Sequence, residues 1–220
     1  MIWWEDGEPA ARRGDFTQAR EAARKSTELA PDVGVAWLAL AAIAVHEGDL
    51  EAFRKVRRDV LARFSDKPYL EPAAIGAILC TVLPATPDEL ETGLRLAERV
   101  AADGPGEGLF SAQRFAPVAL ILGEYRRGHY AQALEQANQY LTTSDAGARR
   151  FSGLWATLTV AMSQHQLHHP AEARRALAQA REKLAVDDGL NRFFWHLRML
   201  DQALLRETET LIEGKPTAAR

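Results

Sequence analysis

The sequence predicts an all-α protein, and three observations carry that prediction. Ala, Leu, Arg and Glu dominate the 220 residues. Stretches of 12 to 18 residues place apolar side chains at i, i+3, i+4 and i+7, and alternating strand-like runs are missing. The breakers Gly14, Pro31, Gly48, Pro68, Pro84 with Pro87, Gly104 to Gly108, Gly128, Pro170 and Gly189 are regularly placed. They divide the chain into about ten helices joined by short turns, which suits antiparallel neighbours.

Taken in order, the first helix is weakened by Gly7 and Pro9, and a second follows Gly14-Asp15-Phe16 and ends near Pro31. VGVAWLALAAIAV, Val33 to Val45, reads as a buried helix. In HEGDLEAF, Gly48 can supply the positive φ that closes that helix, and Asp49 can cap the next. Leu50 and Phe53 then start a face packed on the preceding helix. EPAAIGAILCTVL forms the next helix, and Thr86-Pro87-Asp88-Glu89 reads as an N-cap with Pro at the first helical position. Pro117 either kinks the following helix or marks its start. GHYAQALEQA and HHPAEARRALAQA each open with a break and continue with small residues on one helical face. TTSDAGARR, Thr142 to Arg150, is polar, holds Gly147 and reads as a loop. Residues 190–213 form a long amphipathic helix with Phe193, Leu197, Leu200 and Leu204 on one stripe, and residues 214–220 read as a disordered tail.

Self-comparison exposes a repeat. Gly14 and Gly48 are 34 apart, as are Asp15 with Asp49, Phe16 with Leu50, and Trp3 with Trp37. The step from Gly128 to His168 is 40, with the extra residues in the 142–150 segment. Trp37, Leu40 and Ala41 precede Gly48-Asp49-Leu50, while Ala19, Ala133 and Ala173 recur in second helices and Pro31 closes the first unit. In these residues the chain resembles the tetratricopeptide repeat (TPR) family, over roughly residues 10–186.

The resemblance implies an α-α superhelix, a right-handed solenoid of antiparallel helix pairs. Its units fall at about 1–32, 34–66, 71–104, 112–145 and 151–186, with a capping helix at 190–213. The chain departs from the family pattern where Phe53 replaces a small residue and where the third unit lacks the Gly turn. GDLEAFRKVRRDVLARF, AILCTVLPATPDELETGLRLAERVAAD and TVAMSQHQLHHPAEARRAL, in that order, also look like the helical-repeat tails of large bacterial proteins that carry a serine/threonine kinase domain or a β-propeller elsewhere.

Composition narrows the function classes. Apolar residues make up 47% and charged residues 26%, and the net charge of −3 gives no basic footprint for nucleic acid. A single cysteine, Cys80, suits a reducing compartment, and no apolar run reaches membrane-spanning length. Met1-Ile2-Trp3-Trp4 is followed at once by Glu5 and Asp6, unlike a secretory signal, so a cytoplasmic location is expected. The abrupt start at Met1 leaves open that the sequence is one end of a longer protein.

No motif recommends an enzyme or a cofactor: there is no P-loop, Gly-x-Ser-x-Gly, His-Glu-x-x-His or kinase signature. His165-x-x-His168-His169 has metal-ligand residue types, but Pro170 and a turn at His168 break the spacing, so a polar helix end is expected. Cys80 reads as a buried structural thiol. Arg54, Lys55, Arg57, Arg58 and Arg63 read as a solvated outer face rather than a phosphate or acidic-partner site. Most of the tryptophans read as packing residues, with the adjacent pair Trp3 and Trp4 as the exceptions to watch.

What remains is a groove. In TPR arrays the inner helices line a concave face that receives a peptide or helix. Carried over by register, the resemblance places Val35, Leu38, Ala42 and Val45 there in the second unit, and Phe115, Val118, Leu122 and Tyr125 in the fourth. The fifth contributes Trp155, Leu158, Met162 and His165. These positions are mostly apolar, which disfavours a Lys/Asn/Arg clamp on a peptide's terminal carboxylate. The expectation is a non-catalytic protein-interaction scaffold, with self-association possible and the groove either open or filled by residues 190–213. The alternative is a regulatory or docking region of a larger bacterial signalling enzyme whose catalytic domain lies outside this chain.

Overall fold

A computed structural model describes residues 3–67, 69–103, 112–186 and 194–214. Every regular element among them is helical. A short π-helical segment, Trp3–Gly7, runs into α1 (Glu8–Arg12), followed by α2 (Phe16–Leu29), α3 (Gly34–His46), α4 (Leu50–Phe64), α5 (Leu70–Thr81) and α6 (Pro87–Ala102). A 3₁₀ turn, Ala112–Phe115, leads into α7 (Ala116–Arg126), α8 (Tyr130–Thr143), α9 (Ala146–Gln166), α10 (Pro170–Ala185) and α11 (Trp195–Glu213). Among the described residues no helix is long and apolar enough to cross a membrane.

One turn is built four times. Gly14, Gly48, Gly128 and His168 hold φ of +80°, +77°, +85° and +63°. In each case the positive-φ residue donates its N–H three residues back and the next residue donates five residues back, at 2.9–3.2 Å. This is the Schellman closure, which satisfies carbonyls that the end of a helix leaves open. Restart is equally local: the carboxylates of Asp15 and Asp49 accept from the N–H groups of Gln18 and Ala52 at 3.0 and 2.9 Å. The residue five positions after each turn is buried against its partner helix, as Ala19, Phe53, Ala133 and Ala173. Phe53 takes the small-residue position with only 1% of its surface exposed, whereas Leu50, expected on the same face, stays 46% exposed at the first position of α4.

Helices on either side of each turn pack together, and α3, α5, α7 and α9 also pack in that order on one another. Trp37 in α3 donates to the carbonyl of Pro31 at 2.7 Å, tying the end of one pair to the start of the next. α3 and α5 are apolar around most of their circumference because they are covered on most sides. Close approach in the middle of the chain depends on glycine: a Cβ at Gly93 would lie 2.3 Å from Cys80 Cβ, and one at Gly123 would lie 2.2 Å from Leu94 Cδ2. α6 opens with the expected cap, a reciprocal pair between Thr86 and Glu89 with Pro87 at the first helical position.

Two expectations are corrected. Residues 142–150 are not a loop: α8 continues to Thr143 and α9 begins at Ala146, so the fifth unit starts earlier than residue 151. Asp145 accepts from Ala148 N–H at 2.8 Å and nucleates the helix, and Gly147 is tolerated within its first turn. The basic face of α4 is not wholly solvated, because Arg57 is 2% exposed and bonded to Glu89 and to the Pro84 carbonyl. α11 packs on the last pair, α9 and α10, and on α3 as well. Pro117 falls in the first turn of α7, so the helix starts there rather than kinking. The side chains of Trp3 and Trp4, Phe193 with the rest of 190–193, and the tail 215–220 lie outside the described residues.

Candidate interaction groove

The structure places most of the residues expected to line a groove in the buried core. Leu38, Ala42, Val45, Phe115, Val118, Leu122, Tyr125, Trp155, Leu158 and Met162 are all buried and belong to one apolar cluster, with Val35 packed at its margin. His165 is only partly buried, near the end of α9. Helix position explains the convergence, since α3, α7 and α9 present residues three and four apart on one face.

α11 packs on α3, α9 and α10. Trp195, Met199, Leu200, Ala203 and Leu204 join the same cluster, and Leu200 and Leu204 are fully buried. The buried positions 195, 196, 199, 200, 203 and 204 form a helical stripe, and burying its apolar side chains contributes several kcal/mol, at about 1.5–3 kcal/mol for each large one.

Polar side chains fix the register along the length of α11. At its start, Trp195 Nε1 donates to Glu8 Oε2 in α1 at 2.9 Å, and the Phe16 ring lies 6.1 Å from the Trp195 ring. One and a half turns on, Asp201 accepts from Trp155 Nε1 of α9 at 2.6 Å. Arg126, the last residue of α7, forks onto Glu207, with Nη2 donating to Oε2 at 2.8 Å. Its Nε and Nη2 also donate to the carbonyls of Thr81 and Val82 at the end of α5, both at 3.0 Å. Arg181 of α10 bonds Glu209 and Glu213, at 2.8–2.9 Å. α11 therefore ties the first described helices to the last pair.

Two titratable groups sit in this seam with displaced pKa values. Burial pushes His196 down to about 4, and its Nδ1 has no hydrogen-bond partner among the described residues. Asp201 is pushed up to about 7 by desolvation, against the opposing Trp155 hydrogen bond and the charge of Arg198.

The other singled-out residues lie elsewhere. His168 forms the positive-φ turn, and His169 Nδ1 pairs with Gln164 Oε1 at 2.7 Å. Among the described residues no group of three or more His, Cys, Asp or Glu is placed to hold a metal ion. Cys80 is fully buried, and burial pushes its thiol up to about 12, so it is protonated at neutral pH. Sequence reasoning missed Glu8, Arg126, Asp201 and Glu207, whose partners lie 46 to 187 residues away. The only sequence signal was an acidic residue interrupting the apolar stripe of α11 at Asp201.

The chain matches no protein-family model, no curated protein and no solved structure. The class is therefore defined by the fold and the seam alone: an all-α protein of repeated helix-turn-helix pairs with its own terminal helix seated across them.

Proposed function

We propose that the chain is a non-catalytic protein-interaction module of tetratricopeptide type, a superhelix of antiparallel pairs whose groove accommodates an amphipathic helix. α11 is the resident occupant in this reading, holding in cis the place that a partner's helix takes in an open array. The observation that carries the reading is the packing of α11 on α3 and α9, in one apolar cluster with ten of the expected groove residues, with Trp195 bonded to Glu8 at its start and Arg181 bonded to Glu209 and Glu213 at its end. A partner helix would have to reproduce that stripe and then displace α11, or else bind the outer surface while α11 holds the array rigid.

The test separates the groove from its occupant. A chain truncated after Val186 is mixed with a synthetic peptide of residues 194–213, and binding is followed by calorimetry. Saturable 1:1 binding, weakened at least about tenfold by Leu200→Asp in the peptide, is the expected result. A truncated chain that keeps its helical circular dichroism yet takes up no peptide would sink the proposal.

A further inference from the structure

We propose that a cleft between α4 and the connection from α5 to α6 is a binding site for a small organic anion, with its charged head on Arg54 and Arg58. The cleft measures about 570 Å³ and opens to solvent, within the roughly 300–1,000 Å³ range of small-molecule sites. It lies apart from the α11 seam and does not depend on how that seam is used.

Three arginines line it together with Glu89, and they are not equivalent. Arg57 is fixed: its Nη1 donates to the Pro84 carbonyl at 3.0 Å and its Nη2 to Glu89 Oε2 at 2.8 Å. Its Nε is buried and has no hydrogen-bond partner among the described residues. Holding one arginine against Glu89 neutralises it, so the binding charge comes from the rim.

Arg54 and Arg58 form that rim. They are one helical turn apart on α4, and about half of each side chain is exposed. Both reach the same carboxylate, Glu51, one on each oxygen, at 3.3 Å. Glu51 is itself 71% exposed and the two bonds are long, so it is a weakly held internal stand-in for the head of a ligand. A carboxylate or phosphate carried by a ligand can take the same two guanidinium groups with shorter, charge-assisted bonds.

The body of the ligand is specified by the rest of the wall. Leu61, Pro84 and Ala85 provide an apolar surface beside the arginines. A ring or short apolar chain next to the charged head fits that surface; a bare inorganic ion leaves it wet. The ligand class is thus an aryl or alkyl carboxylate, or the corresponding phosphate monoester.

The experiment uses the full chain, ¹⁵N-labelled at low salt, titrated separately with phenyl phosphate, benzoate and inorganic phosphate. Saturable shifts of the Leu61 and Ala85 amides with phenyl phosphate or benzoate are expected, and the tighter of the two identifies the preferred head. Arg54→Ala with Arg58→Ala should weaken binding about tenfold or more with the helical spectrum unchanged, because both side chains are surface-exposed. Glu51→Gln should strengthen it several-fold by removing the competing carboxylate. The proposal is overturned by the absence of saturable shifts with both organic anions or by equal affinity in the double variant. Inorganic phosphate binding as tightly as phenyl phosphate overturns it too.

Discussion

His168 stands at φ +63°, in the place where the three other turns use glycine. A Cβ in the left-handed region is disfavoured by about 1–2 kcal/mol, partly offset by the greater freedom glycine has in the unfolded chain. His168→Gly should therefore raise stability by about 0.5–1 kcal/mol, read as a higher urea midpoint with an unchanged slope. The four turns were legible unequally in the sequence. Gly14, Gly48 and Gly128 announce a left-handed residue, while His168 was readable only through its position before Pro170 and the small-residue face that follows.

His196 and Asp201 make a second residue-scale prediction, because they respond to pH in opposite directions. His196 falls from 6.5 to about 4 on folding, so the unfolded chain takes up a proton that the folded chain lacks. Its contribution is favourable above about 6.5 and is lost as the pH falls toward 4. Asp201 rises from 3.8 to about 7, so its contribution is greatest below about 4 and is lost as the pH rises toward 7. The slopes oppose over most of that window. In Asp201→Asn, the variant-minus-wild-type difference in melting temperature should climb between pH 4 and 7, and in His196→Phe it should fall between pH 4 and 6.5. Flat difference curves for both would show that neither group titrates in the seam.

At the scale of elements, the contact of α5 with α6 is set by Gly93 lying against Cys80. Alanine there is better for the helix by about 1 kcal/mol, yet its Cβ would overlap Cys80 Cβ, an atom that no rotamer change can move. Gly93→Ala should therefore destabilise by about 1–3 kcal/mol net, and the same change at Gly153, which is buried but has no atom nearer than 3.5 Å to the added Cβ, should stabilise slightly. Chemical denaturation of the two variants checks the contrast. Element boundaries were legible wherever caps are encoded locally, as at Asp49 and Thr86. The 142–150 segment misled because its polar residues resemble a loop, while the capping carboxylate of Asp145 and the helix-forming Ala and Arg after it favour an early start of α9.

On the scale of the whole molecule, the register of the tetratricopeptide resemblance named twelve groove positions, and ten of them are buried in one apolar cluster. Which of the two alternatives holds, positions left open or covered by residues 190–213, was not legible. The stripe of α11 marked it as an amphipathic helix needing a partner surface, but amphipathicity does not distinguish a neighbouring pair from a distant groove. The choice is made by Glu8–Trp195, Trp155–Asp201 and Arg126–Glu207, pairings across long stretches of chain that no local pattern encodes.

The central claim is that α11 is an integral occupant of the groove, and native-state hydrogen exchange tests it most directly. If α11 is seated as described, the amides of Leu200 to Leu204 exchange as slowly as those of Leu158 to Met162 in α9, and both sets respond together to added denaturant. Fast exchange across α11 beside persistent protection of α9 and α3 would contradict the account, since it would describe a terminal helix resting on a groove that is filled without it.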